Sequence, residues 1–152
     1  MSSIVVYGDV SPNVIDGSSI WLMSVSEVLS GVFDEVHIQL KNHVQNRTLL
    51  SAIDGIENIR IHAPVGIAED AALDTKAAAA LVEKLVDDTQ ASAVVVRGFK
   101  AVYDFSLNEK ISRILWSYVT DLPFPPNKLS DTNVQRLKHI AESSRRIFAQ
   151  TE

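Results

Sequence analysis

Residues 4–21, IVVYGDVSPNVIDGSSIW, join an almost wholly apolar run to the start of a helix of apolar period through a long loop. Apolar runs such as Ile4–Tyr7 are typical of parallel strands that helices cover on both faces. A second run of this kind lies at Ala93–Val96. These stretches favour an α/β fold in which the first strand leads through a loop into the first helix.

Further strands are predicted by short β-branched runs that alternate with segments of helical period. The six predicted strands are Ile4–Tyr7, Glu35–Leu40, Asn58–His62, Ser92–Val96, Ile114–Thr120 and Ile147–Gln150. Because His37 and Gln39 alternate with apolar residues, the second strand is expected to be more exposed. Strands that alternate with helices form parallel sheets with right-handed crossovers. We therefore expect a three-layer, Rossmann-like α/β domain with a mostly parallel sheet of about six strands.

Four helices are predicted between these strands. Ser18 or Ser19 is expected to cap the first, which ends near Gly31, a residue type that often closes helices. The other three are predicted over Asn46–Ile53, after a cap at Asp74, and after a cap at Ser130. A proline cluster is excluded from helix interiors and central strands, and it predicts a surface loop at Pro123, Pro125 and Pro126.

Composition narrows the function classes. The 152 residues are 46% hydrophobic and 22% charged, as expected for one compact domain. A net charge of -5 provides no general attraction to nucleic acid. Cysteine is absent and the four histidines lack metal-ligand spacing, so we expect no metal site and no cofactor. No apolar run approaches the ~18 residues of a membrane span, which predicts a soluble, cytoplasmic protein.

The first long loop is the strongest candidate site in the sequence. It runs over Gly8–Ser19 and ends at a predicted helix N-terminus, where free N–H groups attract anions. Gly17 would let a phosphate approach the backbone, and Ser18 and Ser19 add hydroxyl donors. A turn glycine and a capping serine explain the same residues equally simply. The motifs GxxxxGK[ST] and GxGxxG are both absent, which argues against P-loop and nicotinamide-cofactor domains.

Three stretches resemble bacterial retaining glycosyltransferases of the GT-B fold, group 1 family. They are VVYGDVSPNVIDGSSIW (Val5–Trp21), ILWSYVTD (Ile114–Asp121) and RRIFAQTE (Arg145–Glu152). The resemblance implies that residues 1–152 are the N-terminal, acceptor-side domain of such an enzyme, inactive alone. The C-terminal domain, which holds most of the nucleotide-sugar, would be absent from this chain.

The resemblance also implies which partners and loop residues matter. The partners would be the missing domain, a nucleotide-sugar donor, and a glycan or lipid-linked acceptor, with peripheral contact to the inner face of a membrane left open. Sugar transfer of this kind needs no divalent metal. Asp16, Gly17, Ser18 and Ser19 match the family's loop that approaches the donor diphosphate and sugar. Asp16 is a candidate for orienting that loop or for accepting an acceptor hydroxyl, and a turn-stabilising aspartate is the alternative.

Two further places are matched to the cleft and acceptor side. Arg97 and Gly98 lie where the family often has a histidine motif, so Arg97 is a candidate for binding a phosphate or an anionic acceptor, with an ion pair to Asp104 as the alternative. Tyr118 and Asp121 lie at the cleft edge, and Asp121 is a candidate for a sugar hydroxyl or a loop cap. No catalytic residue is identified.

One other function remains open from the sequence. The chain would then be a non-catalytic α/β binding or regulatory module, complete at residue 152, because this architecture carries many functions. Trp21 and Trp116 are interpreted as core residues, since one lies on an apolar helix and the other within a strand. Lys41 and Arg47 are interpreted as solvated loop residues, with a position in the cleft lining as the alternative.

Overall fold

The structure, a computed structural model, describes residues 1–122 and 125–149. Six parallel strands form one sheet in the order β3-β2-β1-β4-β5-β6. The strands are β1 (Ser3–Gly8), β2 (Glu35–Gln39), β3 (Ile59–His62), β4 (Ala93–Arg97), β5 (Leu115–Val119) and β6 (Arg146–Ala149). The predicted α/β class and the six strands are confirmed. The sheet was expected to be mostly parallel, and all five strand pairings of the sheet are parallel. Gln150 and Pro123 of the predicted elements lie outside the described residues.

Helices connect the strands on both faces of the sheet. They are α1 (Gly17–Ser30), α2 (Thr75–Thr89), α3 (Phe99–Ser106), α4 (Glu109–Ser112) and α5 (Asp131–Ser143). Short 3₁₀ turns lie at Leu50–Ala52 and Pro126–Lys128. Asp74 and Ser130 cap α2 and α5 as predicted, each accepting a bond from a backbone N–H of the first turn.

The core consists of two apolar clusters, one on each face of the sheet. Ile4 and Val6 of β1 pack with Leu22 of α1 on one face. Tyr7 points to the opposite face, where its ring stacks on Phe105 with 5.2 Å between ring centroids. Both faces of β1 are therefore buried, and this explains why its sequence lacks polar alternation.

The expectation that β2 is exposed is wrong. His37 and Gln39 have only 5% and 4% of their surface exposed. The strand lies between β1 and β3, so both of its edges are paired and both faces are covered. The Gln39 amide donates to the Leu40 carbonyl at 3.0 Å, and His37 Nδ1 lies 3.0 Å from His62 Nε2. His37 Nε2 lies 3.3 Å from Glu35 Oε2 but has no hydrogen-bond partner among the described residues.

The predicted helix over Asn46–Ile53 is reduced to the 3₁₀ turn at Leu50–Ala52. Side chains compete for the backbone N–H groups at the start of this segment. Asn13 Oδ1 accepts from the N–H groups of Gln45 and Asn46 at 2.7 and 3.0 Å, and Asn46 Oδ1 accepts from Thr48. Such side-chain bonds offer the backbone an alternative to a helix.

The strand order creates a crevice at the carboxyl ends of β1 and β4. The chain leaves β1 for β2 and β3 on one side, then crosses to β4, β5 and β6 on the other. In doubly wound sheets ligands bind outside the strands at this reversal of order. The fold therefore directs attention to the loops after β1, β4 and β5.

Candidate functional site

A cleft of about 480 Å³ opens at this carboxyl edge of the sheet. Its lining consists of Asp16, Gly17, Ser18, Trp21, Arg97 and Tyr118. Five of the eight residues proposed from the sequence therefore share one cleft, although they come from three separate parts of the chain. The sixth lining residue, Trp21, was interpreted as core.

The N-terminus of α1 forms one wall of the cleft, and its cap is Asp16 rather than Ser18 or Ser19. Asp16 Oδ1 accepts from the Ser19 N–H at 2.9 Å, and the Asp16 N–H donates to Ser19 Oγ at 2.9 Å. This reciprocal pair is a capping box with serine in the third helical position. It places Ser18 on the cleft side and buries Ser19.

The Asp16 carboxylate is held in its ionised form. The hydrogen bond from the Ser19 N–H, aided by further bonds from Ser18 and Ser19 and by the charge of Arg97, lowers the pKa of Asp16 below its ordinary value. The cleft consequently carries a fixed negative charge at its α1 wall and a positive charge on Arg97.

Gly17 occupies the first position of α1 with open space around it. No heavy atom from elsewhere in the described structure lies within 4 Å of the position where a Cβ would stand. The first N–H groups of a helix have no intrahelical acceptor, so the N-terminal turn can donate to a ligand.

Arg97 ends β4 and pairs in register with Gly8 of β1 and Tyr118 of β5. Its guanidinium carbon lies 5.8 Å from the centroid of the Trp21 ring. Its Nε is buried and has no hydrogen-bond partner within the part of the chain that the structure describes. Buried donors are usually paired because an unpaired one is costly, and Arg97 Nε lacks such an acceptor. Among the described residues, His37 Nε2, Asn42 Oδ1 and Trp116 Nε1 are unpaired in the same way.

Asp104 does not supply that acceptor. Its Oδ2 accepts from Thr75 Oγ1 at the start of α2. Within residues 1–122 and 125–149, Arg97 forms no ion pair with a carboxylate within 4.0 Å. The alternative in which Asp104 pairs with Arg97 is therefore wrong.

Trp21 and Tyr118 form the aromatic wall of the cleft. Their ring centroids are 5.2 Å apart with the planes inclined by 34°. Trp21 is half-buried, so part of the ring faces the cleft while the rest packs against the core. The interpretation of Trp21 as only a core residue is corrected on this point, because it lies one helical turn after Gly17 on the same side of α1. Trp116 packs against the core as expected.

Three residues proposed from the sequence lie outside the cleft lining. Ser19 is buried in the capping box, and Asp121 is exposed with its Oδ2 accepting from Thr120 Oγ1 at 2.9 Å. Gly98 starts α3 with a φ of 105°, which favours glycine, and a Cβ there would lie 3.6 Å from Asp9 Cβ. Gly98 therefore shapes the turn that follows Arg97.

An ion pair beside the crevice was missed by the sequence interpretation. Lys41 Nζ lies 2.9 Å from Asp9 Oδ1, and both side chains are only about a quarter exposed. Tyr7 donates its hydroxyl to the same oxygen at 3.3 Å, and burial together with the Asp9 charge raises the pKa of Tyr7. Asp9 directly follows β1 and Lys41 lies two residues after β2, and this position near strand ends is the signal that could have found them.

The described residues contain no group of three or more histidine, aspartate or glutamate side chains that could hold a metal ion. Over the same ranges, no helix has both the length and the apolar character required to cross a membrane.

Comparisons with known proteins bear on the fold. No family model and no curated protein matches the sequence. The structure of UDP-GlcNAc 2-epimerase from Neisseria meningitidis bound to UDP-GlcNAc matches with a TM-score of 0.57 at 15% identity, over 98% of this chain and 40% of the epimerase chain.

Structures of Plasmodium falciparum nicotinic acid mononucleotide adenylyltransferase, complexed with APC and with NaAD, give TM-scores of 0.46 and 0.45 at 8% and 9% identity. They are matched over 99% of this chain and 74% and 75% of theirs, and scores this low do not establish a common fold. The epimerase likeness shows that this chain shares a Rossmann-like α/β fold with part of the epimerase chain.

Proposed function

We propose that the chain is the acceptor-side domain of a glycosyltransferase that uses a nucleotide-activated sugar, and that the cleft binds the phosphate end of that sugar. The observation that carries the proposal is the buried, unpaired Nε of Arg97 in a cleft at the carboxyl edge of the sheet. A guanidinium is a strong donor to phosphate oxygens.

The helix wall supports the same ligand. The N-terminal turn of α1 faces the cleft through Gly17 and Ser18, and helix N-termini favour anions through their free N–H groups and dipole. The donors of the cleft are Arg97, the α1 turn, and the hydroxyl groups of Ser18 and Tyr118. They outnumber its one carboxylate, Asp16, and this balance favours a ligand rich in acceptor oxygens.

Transfer itself would require more than this domain. The chain spans 40% of the epimerase chain that it resembles in fold, and that protein was solved with UDP-GlcNAc bound. The resemblance of Val5–Trp21 to the GT-B family supports a second domain that completes the donor site. The 152-residue chain is accordingly expected to bind the ligand weakly and to show no turnover.

Calorimetric titration of the chain with UDP-GlcNAc and UDP tests the proposal. Arg97→Met removes the guanidinium and its charge but keeps an unbranched side chain, and loss of a charged hydrogen bond is expected to weaken binding by about tenfold or more. Arg113→Met is the matched control, because Arg113 is exposed and pairs with Glu109 at 3.2 Å, away from the cleft lining. Absence of binding by both ligands, or equal loss in the two variants, would overturn the proposal.

A further inference from the structure

The Asp16 carboxylate is unexpected in a cleft that binds phosphate. Asp16 is the N-cap of α1, so its negative charge already occupies the end of the helix to which an anionic ligand would bind. It also lies near enough to Arg97 for that charge to lower its pKa. A bare phosphate entering between these groups would be attracted by Arg97 and repelled by Asp16.

The cap alone does not require a negative charge. Asn and Ser cap helices about as well as Asp, and the bond to the Ser19 N–H needs only a carbonyl-type oxygen. The capping bond engages Oδ1, so the carboxylate keeps lone pairs for another donor. Asp16 is also exposed, which leaves it accessible to a ligand in the cleft.

We infer that Asp16 is a specificity-determining residue that accepts a hydroxyl from a sugar attached to the bound phosphate. The inference rests on the proposed function and adds the class of ligand: a glycosyl phosphate in preference to a phosphate that carries no hydroxyl groups. The adjacent rings of Trp21 and Tyr118 suit this class, because the apolar face of a sugar packs against an aromatic wall while its hydroxyl groups reach the polar groups around it.

The selectivity has two parts that act together. A hydroxyl that donates to the carboxylate gains a charge-assisted hydrogen bond, and a ligand without hydroxyl groups gains nothing to offset its repulsion from Asp16. The preference for glycosyl phosphates should therefore disappear when the charge of Asp16 is removed, and binding of the simple phosphate should become tighter.

The test compares glucose 1-phosphate with methyl phosphate, two phosphate monoesters that differ in the sugar. NMR titration of the full chain measures both affinities in the wild type and in Asp16→Asn, which retains a capping oxygen. The wild type is expected to prefer glucose 1-phosphate by about tenfold. In Asp16→Asn the two affinities should converge, with methyl phosphate binding more tightly than before.

Asp34→Asn is the matched control. Asp34 is also an exposed aspartate whose pKa is lowered by hydrogen bonds, here from Ser2, but it precedes β2 at the opposite edge of the sheet. It should keep the wild-type preference. Thermal unfolding of Asp16→Asn checks that the helix cap is intact. If the asparagine variant unfolds, Asp16→Glu is measured in its place. Glutamate keeps the negative charge, so this variant should still repel methyl phosphate.

Either an equal affinity of the wild type for the two monoesters or an unchanged preference in Asp16→Asn would overturn the inference. These outcomes are separate from those of the proposed function. If UDP-GlcNAc binds through Arg97 while the two monoesters are not distinguished, the proposed function stands and the role of Asp16 is wrong. If UDP-GlcNAc does not bind but glucose 1-phosphate is preferred through Asp16, the role of Asp16 stands and the proposed function is wrong.

Discussion

Gly17→Ala separates the needs of the fold from those of the ligand. Gly17 lies outside the positive-φ region, and a Cβ would meet no atom within 4 Å. Alanine at a compatible position reduces the freedom of the unfolded chain and stabilises the protein by roughly 0.4–1 kcal/mol. For a domain of this size we expect the melting temperature to rise by about 1–4 °C.

Ligand binding should respond in the opposite direction. A phosphate oxygen that accepts from the Gly17 N–H lies about 2.9 Å from the nitrogen, so an added methyl group on the neighbouring Cα crowds it. Overpacking of this kind costs typically 1–3 kcal/mol, or roughly five- to 150-fold in affinity. The substitution should therefore leave a slightly more stable protein that binds UDP-GlcNAc at least about fivefold more weakly.

The assay pairs thermal unfolding with calorimetric titration, and Gly55→Ala is the control. Gly55 likewise has no atom within 4 Å of a Cβ position and no positive φ, but it lies after the 3₁₀ turn between β2 and β3. It should leave UDP-GlcNAc affinity unchanged. Wild-type affinity in Gly17→Ala would refute the close approach of phosphate to this backbone, and a lower melting temperature than Gly55→Ala would refute the steric reasoning.

Two further substitutions test the turn after β4 and the contact between His37 and His62. Gly98→Ala should lower the free energy of unfolding by about 1–3 kcal/mol in urea titrations, because a φ of 105° strains any residue with a Cβ. The nearest atom, Asp9 Cβ at 3.6 Å, leaves room for the added methyl group, so the cost is one of backbone strain. An unchanged urea midpoint would contradict this prediction. Burial, and then the neighbouring His37, lowers the folded-state pKa of His62 below its ordinary 6.5. The unfolded chain then binds the proton first, so stability should fall as pH decreases from about 7.5 to about 5.5, and His62→Gln, but not His43→Gln, should flatten that slope. Equal slopes in the two variants would contradict the assignment.

The order of strands and helices along the chain could be predicted because each element has a short local sequence pattern of its own. The apolar runs of β1 and β4 have no polar alternation, since each is covered on two faces. The cap of α1 was misassigned although a signal was present: Asp16 precedes Ser19 by three residues, the spacing of a capping box. The helix α3 was missed because Gly98 offers no capping side chain, even though Val102 and Phe105 have helical spacing.

Which residues line the cleft together was harder to predict from the sequence. Arg97 and Tyr118 lie side by side because β4 and β5 are parallel neighbours in which these two residues fall in register. That neighbour relation is a property of the whole sheet and is absent from any short motif. The alternative partner of Arg97, Asp104, was likewise suggested by proximity in sequence, whereas in the structure the Asp104 carboxylate accepts a hydrogen bond from Thr75.

Mapping the binding site of UDP-GlcNAc by NMR tests the central claim most directly. Amide and indole signals of the full chain are followed during titration, and the predicted result is a set of shifts centred on Gly17, Ser18, the Trp21 indole and the Arg97 side chain. Two results would contradict a phosphate-binding cleft at the carboxyl ends of β1 and β4. One is a set of shifts centred elsewhere, for example around His37 and His62 of β2 and β3. The other is the absence of shifts at millimolar ligand.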